Sequence, residues 1–155
     1  MNRSASLLIV LLLGLQGCAV QRPVDPAARG GEWGRSPSWT LQARLHSALY
    51  GCELLVLDGN NARLAGEQER LPAFHQQLDT CQAQALTTAA SATGQLPTGQ
   101  DQDLRNAQQL YLVAWRDYLD SLSIDHPADL QRKRSYLRAR AALLETATRA
   151  PARQP

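Results

Sequence analysis

DQDLRNAQQLYLVAWRDYLDSL, residues 101–122, is the stretch whose period decides the fold. Leu104, Ala107, Tyr111, Ala114, Trp115, Tyr118 and Leu122 recur at steps of three and four, which sets them along one face of an α-helix. Asp101 or Asp103 supplies the side-chain oxygen that caps its first turn. Composition points the same way. Aromatic content is low, with Phe74 the single phenylalanine, so a core has to be filled mainly by Leu and Ala. Strands favour β-branched and aromatic side chains, and the balance here favours closely packed helices.

On the C-terminal side, Ser123 to His126 break the pattern. Pro127 reads as the first residue of another helix, capped by Asp125 or His126 and running to Arg149, with Leu130, Leu137, Ala141 and Leu144 as its stripe. On the N-terminal side, Gly94 to Gln100 mix Gly and Pro without any apolar repeat and read as a loop. Before it, Leu71, Phe74, Leu78, Cys81, Ala85 and Ala89 predict a helix from Arg70 or Leu71 to about Gly94, with Pro72 tolerated in the first turn. Earlier still, Leu41, Leu45, Ala48, Leu49, Cys52, Leu55 and Val56 predict a helix capped by Ser38 and ending near Leu57. Asp58-Gly59-Asn60-Asn61 is expected to stop that helix, and Ala62 to Glu69 read as no more than a helical turn. The fold expected is all-α, a small antiparallel bundle of about four helices over residues 38–150, long enough for one hydrophobic core.

The first residues decide where such a bundle would live. Arg3 precedes an apolar run, Leu7 to Leu15, of about nine residues, roughly half of what a helix needs to span a bilayer and the right length for an export signal. The run ends in Leu15-Gln16-Gly17-Cys18, which resembles the lipobox of the bacterial lipoproteins. That resemblance implies a signal peptide over 1–17, Leu15, Gln16 and Gly17 as recognition residues for signal peptidase II, and Cys18 as the lipidated residue, with palmitate or a similar acyl group added to its new amino group. Several acyl chains hold a protein firmly to a bilayer, where one holds it marginally. In the family an Asp after the cysteine favours the inner membrane, and Ala19 therefore implies the periplasmic face of the outer membrane. Residues 18–37, with Pro23, Pro26 and Pro37 and Gly30, Gly31 and Gly34, read as a flexible tether, and 151–155 as a disordered tail. Trp33 within the tether either folds back onto the bundle or sits at the membrane interface.

With Cys18 taken by lipid, Cys52 and Cys81 remain, an even number in an oxidising compartment and each on the apolar stripe of its helix. A disulfide between them is the expectation, with two reduced buried thiols as the alternative. Catalytic patterns are missing. His46, His75 and His126 do not have a metal-binding spacing, no Gly-rich phosphate loop or nucleophile elbow occurs, and no CxxC is present. His75 and Asp79 stand four apart and could share a surface hydrogen bond. No catalytic residue, metal or cofactor is assigned. The formal charge of +2 on the whole chain gives no reason to expect a nucleic-acid partner.

Charge is unevenly placed. Residues 101–125 carry a net −3, whereas Arg132, Lys133, Arg134, Arg138, Arg140, Arg149 and Arg153 against Glu145 give the chain after residue 129 a net +6. Either the last two helices neutralise each other, or Arg132, Lys133, Arg134 and Arg138 offer a basic surface to an acidic partner or to anionic lipid headgroups. Tyr111, Trp115 and Tyr118 either fill the core or line a groove for a partner helix. The functional expectation is a non-catalytic, outer-membrane-anchored adaptor or accessory of an envelope system, with an inhibitor of cell-wall enzymes or a peptidoglycan-active protein as the alternative. The arrangement looks like the helical pilotins of secretion systems. It is also similar to the lipoproteins that accompany some sensor kinases, in which a lipobox, two spaced cysteines and a Trp-Arg-Asp follow in the order of Cys18, Cys52, Cys81 and Trp115-Arg116-Asp117.

Overall fold

The computed structural model describes residues 36–149. The signal peptide, the lipobox with Cys18, the tether up to residue 35 and the C-terminal tail expected from the sequence lie outside the described residues, whereas Ser36 and Pro37, the last two residues expected in the tether, begin the first helix. Four helices pack together, α1 (Pro37–Leu64), α2 (Leu71–Gly94), α3 (Gln102–Asp120) and α4 (Leu130–Arg149), with one 3₁₀ turn at Gln68–Arg70. No strand occurs among the described residues.

Cross-helix partners fix the directions. Cys52 meets Cys81 and Arg44 donates to Gln95 Oε1 at 2.8 Å, so α1 and α2 are antiparallel. Ser38, Gln42, Leu45 and Glu53 of α1 meet Gln108, Tyr111, Trp115 and Tyr118 of α3 in the same order, so those two run parallel. Lys133 meets Glu53 and Tyr136 meets His46, which makes α4 antiparallel to α1. The chain thus runs up, down, up, down. Contacts are densest within the pairs α1 with α2 and α3 with α4, so the bundle is two helical hairpins laid face to face.

Helix α1 departs from expectation at both ends. Its cap is Ser36, whose hydroxyl accepts from Trp39 N at 3.3 Å, with Pro37 in the first turn; Ser38 is instead buried and accepts from Gln108 Nε2 at 3.0 Å. The Asp58-Gly59-Asn60-Asn61 stop is overturned, because the helix runs straight through it to Leu64. Gly59 is there to let Ile124, fully buried in the connection between α3 and α4, lie against the helix backbone: a Cβ at residue 59 would stand 2.9 Å from both Ile124 Cγ1 and Cγ2. The true stop is Gly66, at φ +78°. Gly66 N donates to Arg63 O and Glu67 N to Ala62 O, the paired bonds of a Schellman end that satisfy two orphan carbonyls.

The other elements differ less. Asp101 caps α3, accepting from Asp103 N at 2.8 Å. Helix α4 starts three residues later than Pro127: Asp129 is its cap, accepting from Gln131 N and Arg132 N at 3.0 Å each, in place of Asp125 or His126. Its stripe is also corrected by one residue of phase. Tyr136 and Leu143 are buried, while Leu130 and Leu137 are exposed. The reason is aromatic packing: Tyr136 lies between Tyr111 and Tyr118, with ring centroids 6.0 and 5.8 Å away, and that larger side chain sets the rotation of the helix.

The cysteines are bonded. Cys52 and Cys81 join α1 to α2 with Cα atoms 5.7 Å apart. Cys52 lies twelve residues before the end of α1 at Leu64 and Cys81 ten after the start of α2 at Leu71, so nearly equal lengths of helix bring the two to one level.

Candidate partner-binding groove

Helix α3 carries two stripes. The inner one, Gln108, Tyr111, Trp115 and Tyr118, is buried and hydrogen-bonded onto α1. Trp115 Nε1 donates to Leu45 O at 2.8 Å, Tyr111 Oη to Gln42 O at 3.4 Å and Tyr118 Oη to Glu53 Oε1 at 2.6 Å. Each of these large side chains brings a polar atom into the core, and each finds a partner there, which spares the cost of burying an unpaired donor. Burial holds the Tyr111 and Tyr118 hydroxyls far above the usual tyrosine range, helped at Tyr118 by its bond to Glu53, so both remain neutral donors. Of the two readings of Tyr111, Trp115 and Tyr118, the structure corrects the one that set them in a groove. At 1 % exposure or less they are core.

The outer stripe was not anticipated. Leu110 and Val113 are each 68 % exposed and, with Ala107 and Ala114, form one wall of an open groove of about 680 Å³. Ala139, Ala142 and Thr146 of α4 form the other. Small alanines on both helices leave the hollow, and two large aliphatic side chains stand over it. The rim is charged with opposite signs, Asp103 and Asp117 on the α3 side and Arg138 on the α4 side. A sequence signal existed: Leu110 to Trp115 is six consecutive apolar residues, more than one buried face of a helix can use.

The basic residues of α4 divide. Lys133 donates to Glu53 Oε1 at 2.7 Å and stands 5.8 Å from the Tyr118 ring centroid, so it belongs to a junction of three helices. Arg132 pairs with Asp117 at 3.7 Å and with Asp129 at 3.4 Å. Only the pair with Asp117 joins α3 to α4 and contributes to their mutual neutralisation, since Asp129 is the cap of α4 itself; each exposed pair is worth on the order of 0–1 kcal/mol. Arg134 and Arg138 form no ion pair among the described residues. His75 bonds Asp125 Oδ2 at 3.0 Å through Nε2, tying α2 to the loop before α4; the expected bond to Asp79 does not form.

No protein-family model, curated protein or solved structure matches this chain.

A second polar cluster joins α1 to α4. His46 Nδ1 lies 3.0 Å from Tyr136 Oη, and the buried Gln42 amide, turned carbonyl outward, accepts from Arg140 Nε at 2.7 Å and Nη2 at 3.1 Å. Burial, and then the Arg140 guanidinium, lower the His46 pKa below its usual value against the pull of Glu53. A neutral imidazole can accept from the Tyr136 hydroxyl. Among the described residues no three His, Cys, Asp or Glu stand close enough to hold a metal ion, and no helix is long and apolar enough to cross a membrane.

Proposed function

We propose that this chain is a lipid-anchored adaptor of the bacterial envelope, held by an acylated Cys18 and binding an amphipathic helix of an envelope protein in the α3–α4 groove. The observation that carries the reading is the pair Leu110 and Val113, exposed over a hollow between two helices whose inner faces are locked to the core. Exposed large aliphatics beside a concave surface with a charged rim are the common form of a helix-in-groove site. The rim selects the occupant by charge: a basic edge beside Asp103 and Asp117, an acidic edge beside Arg138. The anchor rests on the likeness of Leu15-Gln16-Gly17-Cys18 to a lipobox, and Ala19 favours the outer membrane.

Two measurements test it. Intact-mass analysis of the mature protein is expected to show an N-terminal Cys18 carrying acyl groups, and Cys18→Ala should appear as soluble or unprocessed protein; an unacylated N-terminus ends the anchor reading. A photo-cross-linker placed at Val113 in intact cells should yield one discrete heterologous adduct, lost with Arg138→Glu, while the same group at Gln76 on α2 does not. Equal labelling from both positions, insensitivity to Arg138→Glu, or an adduct of twice the chain mass would each sink the groove reading.

A further inference from the structure

The Cys52–Cys81 disulfide is covered on one side and open on the other. Cys52 is fully buried, whereas Cys81 is half-buried and forms part of the wall of a groove of about 440 Å³ between α1 and α2. The groove depends on Gly51, in the middle of α1: no atom lies within 4 Å of the position its Cβ would take. Glycine is the least favourable helix residue after proline, and here no turn, positive φ or close packing calls for it. What its missing side chain provides is open space in the groove that Cys81 lines. The remaining walls, Leu55, Gln76, Gln77, Thr80 and Gln84, are uncharged, so no negative charge in the groove would repel an anion.

We infer that Cys81 Sγ is the sulfur through which this disulfide is broken and formed, and that the Gly51 groove is the approach path for the thiolate of a dithiol. In reduction the incoming thiolate bonds to Cys81 Sγ, the bond between the two cysteine sulfurs breaks, and its electron pair leaves on Cys52 Sγ, which takes up a proton. The second thiol of the reagent, losing its proton, then displaces Cys81 as a thiolate. Two electrons have passed to the protein and the reagent ends as its own disulfide. Oxidation follows the same path backwards, with Cys81 attacking first and Cys52 closing the bond. Attack at Cys52 has no such path, since that sulfur faces the core.

The test uses the intact oxidised protein and dithiothreitol under native conditions. Gly51→Ala and Gly51→Leu both improve helix propensity to a similar degree, but only leucine is bulky enough to fill the groove. The expected result is a reduction rate first-order in dithiothreitol, close to wild type in Gly51→Ala and about tenfold slower in Gly51→Leu, because access governs exchange. With excess glutathione, the mixed disulfide trapped by acid and mapped by mass spectrometry should sit on Cys81. Equal slowing of both variants would mean that the bond breaks through unfolding, and no slowing of Gly51→Leu would mean that the groove is irrelevant. Either result, or an adduct on Cys52, overturns the inference.

Discussion

A methyl group added at Gly59 would have to displace Ile124, a side chain with no exposed surface and a stiff branched Cβ. In an ordinary helix interior Gly→Ala stabilises by up to about 1 kcal/mol. Here the sign should reverse, with Gly59→Ala destabilising by about 1–3 kcal/mol as overpacking does. Combining it with Ile124→Ala should recover part of the loss, and urea unfolding of the four proteins in a double-mutant cycle reads the coupling. Strict additivity would show that the two residues do not meet. His46 gives a second single-residue expectation. Its folded-state pKa lies below the usual value, so at mildly acidic pH the unfolded chain binds the extra proton first. Its contribution to stability is therefore complete above about 6.5, the usual histidine value, and falls as pH drops from there towards the folded value. Unfolding free energies measured between pH 7.5 and 5 should decline more steeply in wild type than in His46→Gln. Parallel curves would show that His46 is not coupled to folding.

At the scale of the elements, α2, α3 and the loop between them were legible because their apolar residues keep helical period and their ends carry strong local signals, Pro72, Gly94 and Asp101. The end of α1 was not. Asp58-Gly59-Asn60-Asn61 has the chemistry of a stop, yet the packing of Ile124 uses the missing side chain of Gly59 in a way that only the folded neighbour reveals. Gly66, the residue that does end the helix, was hidden in a stretch without apolar period. At φ +78° with nothing near its Cβ position, it is needed for backbone conformation alone. Gly66→Ala should therefore cost about 1–2 kcal/mol, the penalty of a left-handed alanine. Thermal unfolding would detect this, and an unchanged midpoint would mean that the helix end re-forms one residue away. The register of α4 escaped for a related reason. Leucines there suggested a stripe, but Tyr136 takes the core because two tyrosines of α3 wait for it. The groove was legible only as an excess of apolar residues between Leu110 and Trp115. Its second wall comes from alanines of α4 that have no signal of their own.

Across the whole molecule, the two hairpins are held by different means. The α3–α4 hairpin is joined to α1 by side-chain bonds from Gln108, Tyr111, Trp115, Tyr118 and Lys133, all reversible on unfolding, whereas α1 and α2 are also joined covalently. The cross-link spans 29 residues of sequence. In the chain-entropy account, closing such a loop disfavours the unfolded state by about 3–4 kcal/mol. Native packing around it should survive its loss, since Cys52 is one member of a continuous core running from Leu41 to Val56 on α1 and from Tyr111 to Ile124 beyond α2. Cys52→Ala/Cys81→Ala is therefore expected to keep its helical circular dichroism at low temperature while its melting midpoint falls by roughly 10–20 °C. The urea dependence of its unfolding should also steepen, because an unfolded chain without the cross-link exposes more surface. A similar fall in midpoint with an unchanged urea slope would place the effect in the native state, through lost packing at Cys52, and would end the argument that the bond acts by confining the unfolded chain.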